Sequence, residues 1–247
     1  MSNSVKKVYL IHGWAANRHV FDDLIPRLPE SWDIEALNLP GHGDAPFNGS
    51  FHITDIADDL AEKIDEPAYL LGWSLGGLVA LYTAARHPEK VRALCITTGF
   101  AKFQAAPDYP EGIQTSALDK MIELFQQDYY KYIKQFLQLQ FLYTKERQPV
   151  LETIMPEIAQ YGPPSAIKAA LDAIIETDIR PLLPDIDIPT LLIFGAKDTI
   201  APPRMGKYLQ QHMPHSDLHV IEKSAHAPFL TQPDEFSSLL TTFFEQH

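Results

Sequence analysis

The chain has 247 residues, of which 45% are hydrophobic and 11% aromatic, enough apolar material for the core of one α/β domain. Its 32 acidic side chains outnumber the 20 basic ones, and a formal charge of -12 argues against nucleic acid or an anionic membrane surface as the main partner. No apolar run approaches the roughly 20 residues that cross a bilayer, and the first residues lack a signal-peptide core, so we expect a cytoplasmic protein.

Short apolar segments predict six β-strands separated mostly by helical patterns. In chain order the predicted strands are Lys7–Ile11, Ile34–Asn38, Tyr69–Leu71, Ala93–Ile96, Thr190–Phe194 and Leu218–Ile221. The predicted helices of this part are Ile53–Ile64, Leu75–Arg86, Pro203–His212 and Pro233–Phe244. Alternating strands and helices are typical of a doubly wound α/β fold with a mostly parallel sheet, which binds ligands at the carboxyl ends of its strands.

The alternation stops between about residue 100 and residue 189, where helical patterns occur without a convincing strand. Within this region, shorter helices are predicted to break at Pro149, Pro156 and Pro163–Pro164. We therefore predict one domain, in which residues 1–100 and 189–247 form the α/β core and residues 101–188 form an inserted helical lid.

The segment Gly72–Gly76 places a serine between two glycines at a predicted turn from strand to helix. Pro67–Leu71 before it has the apolar character of a buried strand, and Leu75–Tyr82 after it has that of a closely packed helix. A sharp turn of this kind lifts the Ser74 hydroxyl clear of the backbone, and the flanking glycines remove side chains that would clash. The pattern therefore predicts the nucleophile of a serine hydrolase.

A serine hydroxyl needs a base within hydrogen-bond reach, and the base needs a carboxylate to orient it. His226 is the predicted base, because its segment, Ser224–Phe229, follows the last predicted strand. The residues next to His226 are small and leave room for it to approach the serine. Asp198 is the predicted acid, because it follows a strand that ends at a glycine turn and keeps the order serine, acid, histidine. Asp185 and Asp187 are rival carboxylates, but they precede that strand and should lie at its opposite end.

The oxyanion formed in such a reaction needs two backbone donors. One is predicted to be the amide of Leu75, directly after the nucleophile, and the other the amide of Trp14 in the loop Ile11–Ala15. The Trp14 indole would then form a wall of the pocket. His12 is predicted to support this loop through a hydrogen bond, and Leu39–Gly43 is predicted to be a turn without a chemical role.

These residues together predict acyl transfer. Ser74 would attack a carbonyl while His226 takes its proton, Asp198 would stabilise the imidazolium, and water would later release the acid. The only cysteine, Cys95, lies in a predicted buried strand, and neither metal-ligand spacing nor a dinucleotide-binding glycine loop occurs. We therefore expect catalysis without a metal or a cofactor.

Several segments resemble the pimeloyl-acyl carrier protein methyl ester esterases of biotin synthesis, a family within the α/β-hydrolase superfamily. They are Leu10–Trp14, Leu71–Ala80, Asp108–Ile113, Phe136–Gln140 and Ala225–Phe229. The resemblance implies an α/β-hydrolase fold and hydrolysis of the methyl ester of a pimeloyl chain carried by acyl carrier protein. It also implies a set of substrate contacts: Trp14, Ser74, Leu75, Phe136, Leu137, Gln138, Leu139, Gln140 and His226.

Members of this family also dock an acidic carrier protein through basic lid residues. Here a predicted amphipathic helix has Ile133, Phe136 and Leu137 on one face and Lys131, Lys134 and Gln138 on the other. The locally basic residues predicted to contact the carrier protein are Lys131, Lys134, Lys145 and Arg147. We expect a monomer that also hydrolyses small esters.

Two other classes of function stay open at this point. Another small-molecule hydrolase of the same superfamily, such as a short-chain carboxylesterase, a lactonase or a carbon–carbon bond hydrolase, would use the same serine, histidine and aspartate. A non-catalytic protein that retained the pocket to bind a ligand is the second alternative. A haloalkane dehalogenase is excluded, because it needs a carboxylate where Ser74 stands.

Overall fold

The computed structural model describes residues 5–139, 147–158 and 163–247, without the side chains of residues 129, 137, 151, 154, 155 and 158. Within these ranges one sheet contains six strands: β1 Lys7–Ile11, β2 Asp33–Leu37, β3 Ala68–Trp73, β4 Val91–Thr97, β5 Thr190–Gly195 and β6 Ser216–Ile221. All six lie within two residues of the predicted bounds, so the predicted strands are confirmed.

The sheet runs in the order β2-β1-β3-β4-β5-β6, and every neighbouring pair is parallel. The predicted doubly wound α/β fold is therefore confirmed. The chain leaves β1 toward one edge of the sheet and returns on the other side of β1 to form β3. A crevice opens where strand order reverses in this way, and here it lies beyond the carboxyl ends of β1 and β3.

Nine α-helices occur in the described ranges. They are α1 Ile53–Lys63, α2 Leu75–Arg86, α3 Thr115–Gln127, α4 Tyr129–Leu139, α5 Gln148–Ile158, α6 Pro164–Glu176, α7 Pro203–His212, α8 Pro228–Thr231 and α9 Pro233–Gln246. The four helices predicted for the core are confirmed as α1, α2, α7 and α9. Proline opens α7 and α9, where its missing amide hydrogen costs no helical hydrogen bond.

The central strands are buried along their whole length, and this explains their uninterrupted apolar sequences. Every residue of β3 and of β5 is buried, because helices cover both faces of the sheet. Cys95 is fully buried in β4, as predicted, and the burial raises the pKa of its thiol. The core therefore holds the carboxyl ends of β3, β4 and β5 in fixed register.

Helices α3 to α6 lie between β4 and β5 in the chain, within the predicted lid. One expectation about them is wrong: Pro156 lies inside α5 and does not end it. The segment before these helices is hydrogen-bonded to the segment after them. The Ile179 amide donates to the Ala101 carbonyl over 3.0 Å, and Lys102 forms a β-bridge with Asp178. The boundaries of the lid at 101 and 188 stay a prediction.

No helix in the described parts of the chain combines the length and the apolar character that crossing a membrane requires.

Candidate active site

Ser74 occupies a strained turn between β3 and α2. Its backbone has a φ of 54° and a ψ of -112°, a conformation that non-glycine residues rarely adopt. The flanking glycines are required by close packing, since a Cβ on Gly76 would lie 2.1 Å from the Ile11 carbonyl oxygen and one on Gly72 would lie 2.4 Å from the Gly76 oxygen. The turn therefore has the geometry that a nucleophilic serine requires.

The loops after β5 and β6 bring Asp198 and His226 together. The Nδ1 of His226 lies 2.8 Å from the Oδ2 of Asp198, and both side chains are almost completely buried. The other carboxylate oxygen, Oδ1, accepts the amides of Ile200 and Ala201 over 2.8 Å and 3.0 Å. Because the carboxylate accepts a hydrogen bond from Nδ1, the imidazole carries its proton on Nδ1. Its Nε2 is then free to act as a base.

Two residues that the sequence analysis did not single out hold His226 beside the serine turn. The indole Nε1 of Trp73 donates to the His226 carbonyl over 2.8 Å, and the hydroxyl of Thr98 donates to the same oxygen over 2.9 Å. The rings of Trp73 and His226 lie 5.7 Å apart. A buried indole N–H needs a hydrogen-bond acceptor, so a structural role for Trp73 could have been predicted from the sequence. No sequence pattern indicated a role for Thr98.

The rival carboxylates lie elsewhere, as their place in the sequence predicted. Asp185 ends a short 3-10 helix that precedes β5. Asp187 also precedes β5 and pairs with His215 over 2.9 Å, with side chains that are 80% and 61% exposed. Asp198 is therefore the carboxylate that reaches the imidazole.

The loop after β1 lies against the serine turn. A Cβ built on Gly13 would come within 3.0 Å of the Trp73 ring and 3.3 Å of the Ser74 Cβ, so the amide of the next residue, Trp14, is close to the nucleophile. On the other side of Ser74, Leu75 is the first residue of α2, where backbone N–H groups have no acceptor within the helix. The amides of Trp14 and Leu75 therefore stay the predicted oxyanion donors.

The predicted supporting role of His12 is confirmed. The Leu39 amide donates to its Nε2 over 3.0 Å, so its proton is on Nδ1, which donates to the Gly13 carbonyl over 2.7 Å. Complete burial, together with the nearby His42, lowers the pKa of His12 to about 3. Burial likewise lowers the pKa of His42 to about 4. Both rings are therefore neutral parts of the loop framework at neutral pH.

Described residues of the insertion line two apolar spaces, and Trp14 in the loop after β1 lines one of them. The lid cavity, about 290 Å³, is lined by Trp14, Ile122, Phe125, Ile167 and Leu171 among others. The helix groove, about 220 Å³, lies between α3 and α4 and is lined mainly by Met121, Leu124, Phe125, Tyr132, Phe136 and Leu139. Phe125 lines both spaces.

Trp14 joins the lid cavity to the oxyanion loop. Its indole donates to the Ile167 carbonyl over 2.7 Å, and its ring lies 5.2 Å from the ring of Phe125 and 5.1 Å from that of Phe136. Trp14 thus lines the lid cavity, and that its indole forms a wall of the substrate pocket stays a prediction. Apolar volume of this size can hold a hydrocarbon chain.

A third space, the histidine cavity, has a volume of about 40 Å³ and touches His226 and Asp198 directly. Its remaining lining consists of Leu139, Lys197, Thr199, Ile200 and Ala225. Leu139 also lines the helix groove, so it lies at the boundary between the two spaces.

The other substrate contacts implied by the resemblance lie at or beyond the edge of this region. Gln138 is exposed on α4. Only the backbone of Leu137 is described, and Gln140 lies outside the described residues.

The predicted basic surface is only partly present. Lys131 and Lys134 are exposed on α4, and Lys145 lies outside the described residues. Arg147 does not belong to that surface, because its side chain is only 17% exposed, and its guanidinium pairs with Asp23 and donates to the Leu230 carbonyl over 3.1 Å. The sequence could not indicate this pairing, since Asp23 is distant in the chain.

No group of three or more His, Cys, Asp or Glu side chains in the described ranges is placed to hold a metal ion.

Comparisons with known proteins agree with this geometry. A family model described as alpha/beta hydrolase fold matches residues 6–233. A pimeloyl-[acyl-carrier protein] methyl ester esterase of Neisseria meningitidis serogroup C is 58% identical over 245 residues, which are 99% of this chain and 96% of the relative. One of Yersinia enterocolitica is 32% identical, with 96% of this chain and 92% of the relative covered. Among solved structures, an esterase from Exiguobacterium antarcticum matches with a TM-score of 0.88 and 26% identity, over 98% of this chain and 92% of that one.

Proposed function

This chain belongs to the pimeloyl-[acyl-carrier protein] methyl ester esterases of the alpha/beta hydrolase family, and from that membership we propose its reaction. It hydrolyses the methyl ester of a pimeloyl chain bound to acyl carrier protein, a step in biotin synthesis, and releases methanol and the free carboxylate. The observation that carries the proposal is the buried pair of Asp198 and His226, anchored through Trp73 to the strained turn that bears Ser74.

In the proposed reaction, the hydroxyl of Ser74 attacks the ester carbonyl and gives its proton to Nε2 of His226. The negative charge that develops on the carbonyl oxygen is stabilised by the amides of Trp14 and Leu75. The imidazolium then protonates the methoxy oxygen, and methanol leaves an acyl-enzyme on Ser74. Water, activated by the same imidazole, hydrolyses this ester and restores the serine.

The acyl side of the substrate is apolar, and the spaces next to Trp14 suit it. The pimeloyl chain would lie against the walls of the lid cavity, where burial of each methylene contributes about 0.8 kcal/mol. The carrier protein would stay outside and contact the exposed ammonium groups of Lys131 and Lys134 on α4. We further propose that the enzyme acts as a cytoplasmic monomer.

The direct test is incubation of the purified enzyme with pimeloyl-acyl carrier protein methyl ester, with the loss of the methyl group followed by mass spectrometry. We expect demethylation by the wild type and none by Ser74→Ala. Methyl hexanoate, a small ester without a carrier, serves as the control substrate. Hydrolysis of methyl hexanoate without demethylation of the carrier-bound ester would leave a serine esterase and refute the assigned substrate.

A further inference from the structure

Thr98, the residue directly after β4, is completely buried and has a strained backbone. Its φ of 46° lies in the left-handed region, which a β-branched residue rarely adopts. Among the described residues, the other non-glycine residues with a positive φ are Ser74 in the serine turn and Ala15 in the loop after β1. Such strain persists where the surrounding structure imposes it, and it concentrates at functional sites. The contacts of Thr98 therefore indicate what its strained position serves.

The end of β4 is bonded to the segments that carry the predicted nucleophile and the predicted base. The Ser74 amide donates to the Thr97 carbonyl over 3.1 Å, and the Thr98 hydroxyl donates to the His226 carbonyl over 2.9 Å. The Thr98 amide donates to the Ile193 carbonyl of β5 over 3.0 Å. Two consecutive residues thus fix the serine turn, the backbone of the histidine and the strand that precedes the predicted acid.

His226 is held both at its ring and at its backbone. Its Nδ1 lies 2.8 Å from the Asp198 carboxylate, while its carbonyl accepts hydrogen bonds from the Trp73 indole and the Thr98 hydroxyl. A single bond to the ring leaves the ring free to pivot about that bond. The bonds to the carbonyl remove this freedom, because they fix the backbone from which the side chain projects.

Of the two donors to this carbonyl, Thr98 forms the more rigid connection. The indole of Trp73 reaches the oxygen through a long side chain, whereas the hydroxyl of Thr98 lies on the Cβ of a residue at the end of a buried strand. A β-branched side chain is also restricted at χ1, so its hydroxyl keeps a fixed direction. The carbonyl position is therefore tied most directly to β4.

We propose that Thr98 is a positioning residue, whose hydroxyl holds the imidazole of His226 at the distance from Ser74 at which a proton can be transferred. This inference rests on the proposed function, in which Ser74 attacks the ester and His226 moves the proton. A displacement of about 1 Å in such a geometry can lower the rate by about 10²-fold. Loss of the Thr98 hydroxyl should therefore slow the chemical steps without weakening substrate binding.

The test compares Thr98→Val with Thr98→Ser in the hydrolysis of methyl hexanoate. Valine has nearly the shape of threonine and lacks the hydroxyl, while serine retains it. In Thr98→Val the His226 carbonyl still accepts the Trp73 indole, so no buried acceptor is left unpaired and the protein should fold. We expect kcat of Thr98→Val to fall by between about ten- and a hundredfold with little change in KM. Thr98→Ser should stay within about twofold of the wild type.

Thr190→Val is the matched control. Thr190 is completely buried at the start of β5, at the end of that strand away from the site, and its hydroxyl donates to the Ile188 carbonyl over 2.8 Å. The substitution removes the same kind of hydrogen bond and should leave kcat unchanged. Equal losses in Thr98→Val and Thr190→Val would overturn the proposal. A loss in Thr98→Ser as large as that in Thr98→Val would overturn it too.

If Thr98→Val does not fold, Thr98→Gly takes its place. Glycine adopts a φ of 46° without strain and also lacks the hydroxyl, so this variant removes the hydrogen bond while relaxing the backbone. The same loss of kcat is expected. A kcat equal to that of the wild type would show that the hydroxyl does not position His226.

The rate at which a fluorophosphonate labels Ser74 separates this inference from the proposed function, because labelling requires an activated serine and no ester substrate. Labelling of Thr98→Val about tenfold slower than that of the wild type, without demethylation of the carrier-bound ester by the wild type, would support the positioning role and refute the assigned substrate. Demethylation of the carrier-bound ester by the wild type, together with equal labelling rates in both proteins, would do the reverse.

Discussion

At the scale of single residues, the two oxygens of Asp198 have separate tasks. Oδ1 accepts hydrogen bonds from the amides of Ile200 and Ala201 and so shapes the loop after β5, while Oδ2 accepts a hydrogen bond from Nδ1–H of the His226 imidazole. The two tasks can be separated by substitution, because an asparagine retains one oxygen.

Asp198→Asn should preserve the conformation of the loop after β5 and prevent His226 from acting as a base. Its oxygen can still accept the two amides, but its NH₂ group faces Nδ1 of His226 and forces the imidazole proton onto Nε2, where it faces the substrate. We expect kcat to fall by up to about 10⁴-fold with little change in melting temperature. Asp187→Asn is the control and should keep full activity. Comparable losses in both variants would contradict the assignment of Asp198.

The buried histidines make folding sensitive to acid. His12 and His42 have pKa values lowered to about 3 and about 4, whereas an unfolded histidine has a pKa near 6.5. Below pH 6.5 the unfolded chain therefore binds protons that the folded protein excludes, and the free energy of unfolding falls by about 1.4 kcal/mol per pH unit for each ring. The stability that the two neutral rings contribute is fully present above pH 6.5 and is lost as the pH falls toward about 4 for His42 and about 3 for His12.

His42→Leu tests this dependence, because it removes one of the two titrating rings. From urea unfolding at pH 7 and at pH 5, we expect the variant to lose about 2 kcal/mol less than the wild type over this range. Comparison of the two pH values within each protein cancels the change in packing caused by the substitution itself. Equal losses in both proteins would show that His42 does not contribute.

At the scale of helices and strands, the half-buried ring of Phe125 on α3 separates the lid cavity from the helix groove. It is held there by edge-on contacts with Trp14 at 5.2 Å and with Phe136 at 6.2 Å. In the proposed binding mode, the ring therefore limits the length of the acyl chain that can extend from Trp14 between the helices.

Phe125→Ala should join the two cavities and favour longer acyl chains. In a series of methyl esters from hexanoate to decanoate, we expect the ratio of kcat/KM for decanoate to that for hexanoate to rise by about tenfold or more. Tyr130→Ala, at a position 63% exposed on α4, is the control and should leave the ratio unchanged. An unaltered ratio in Phe125→Ala would show that the acyl chain takes another path.

Sequence patterns predicted the elements of the core well and those of the insertion less well. Buried strands such as β3 and β5 have continuous apolar sequences, and proline marked the starts of α7 and α9, so both kinds of element were visible locally. Pro156 gave a false signal, because a proline costs a helix one hydrogen bond, and α5 accommodates that loss near its end.

The site was predictable where chemistry restricts residue types, and not where partners are distant in the chain. The strained turn at Ser74 and the pairing of Asp198 with His226 were recognisable from the motif and from the order of these residues after strands, while the role of Ser74 as the nucleophile stays a prediction. The bonds from Trp73 and Thr98 to the His226 carbonyl, and the pairing of Arg147 with Asp23, depend on contacts between segments far apart in sequence. No local pattern encodes such contacts.

At the scale of the whole molecule, a formal charge of -12 opposes the approach of an acidic carrier protein. In the proposed complex, attraction must then come from a small region, and Lys131 and Lys134 are exposed on α4, next to the helix groove. The electrostatic contribution to binding should accordingly be local and sensitive to salt.

Changing Lys131 and Lys134 together to glutamate should lower kcat/KM for the carrier-bound ester by about tenfold and leave methyl hexanoate unaffected. Changing Arg92 and Lys207, which are exposed on the core, to glutamate makes the same change in net charge and is the control. The advantage of the wild type should shrink as NaCl is raised from 50 to 300 mM. Equal losses for the two double variants would indicate that only net charge matters.

The hydrogen bonds between the two ends of the insertion have an evolutionary consequence. The Ile179 amide meets the Ala101 carbonyl, and Arg180 pairs with both Asp178 and Asp108, so the chain leaves and re-enters the core at one place. The entropy lost in closing a loop grows only slowly with its length, so helices above this base can be lengthened, shortened or exchanged at little cost to the core. One ancestral fold could thus acquire new substrates by exchange of the whole insertion, while the serine, the histidine and the aspartate kept their relative positions.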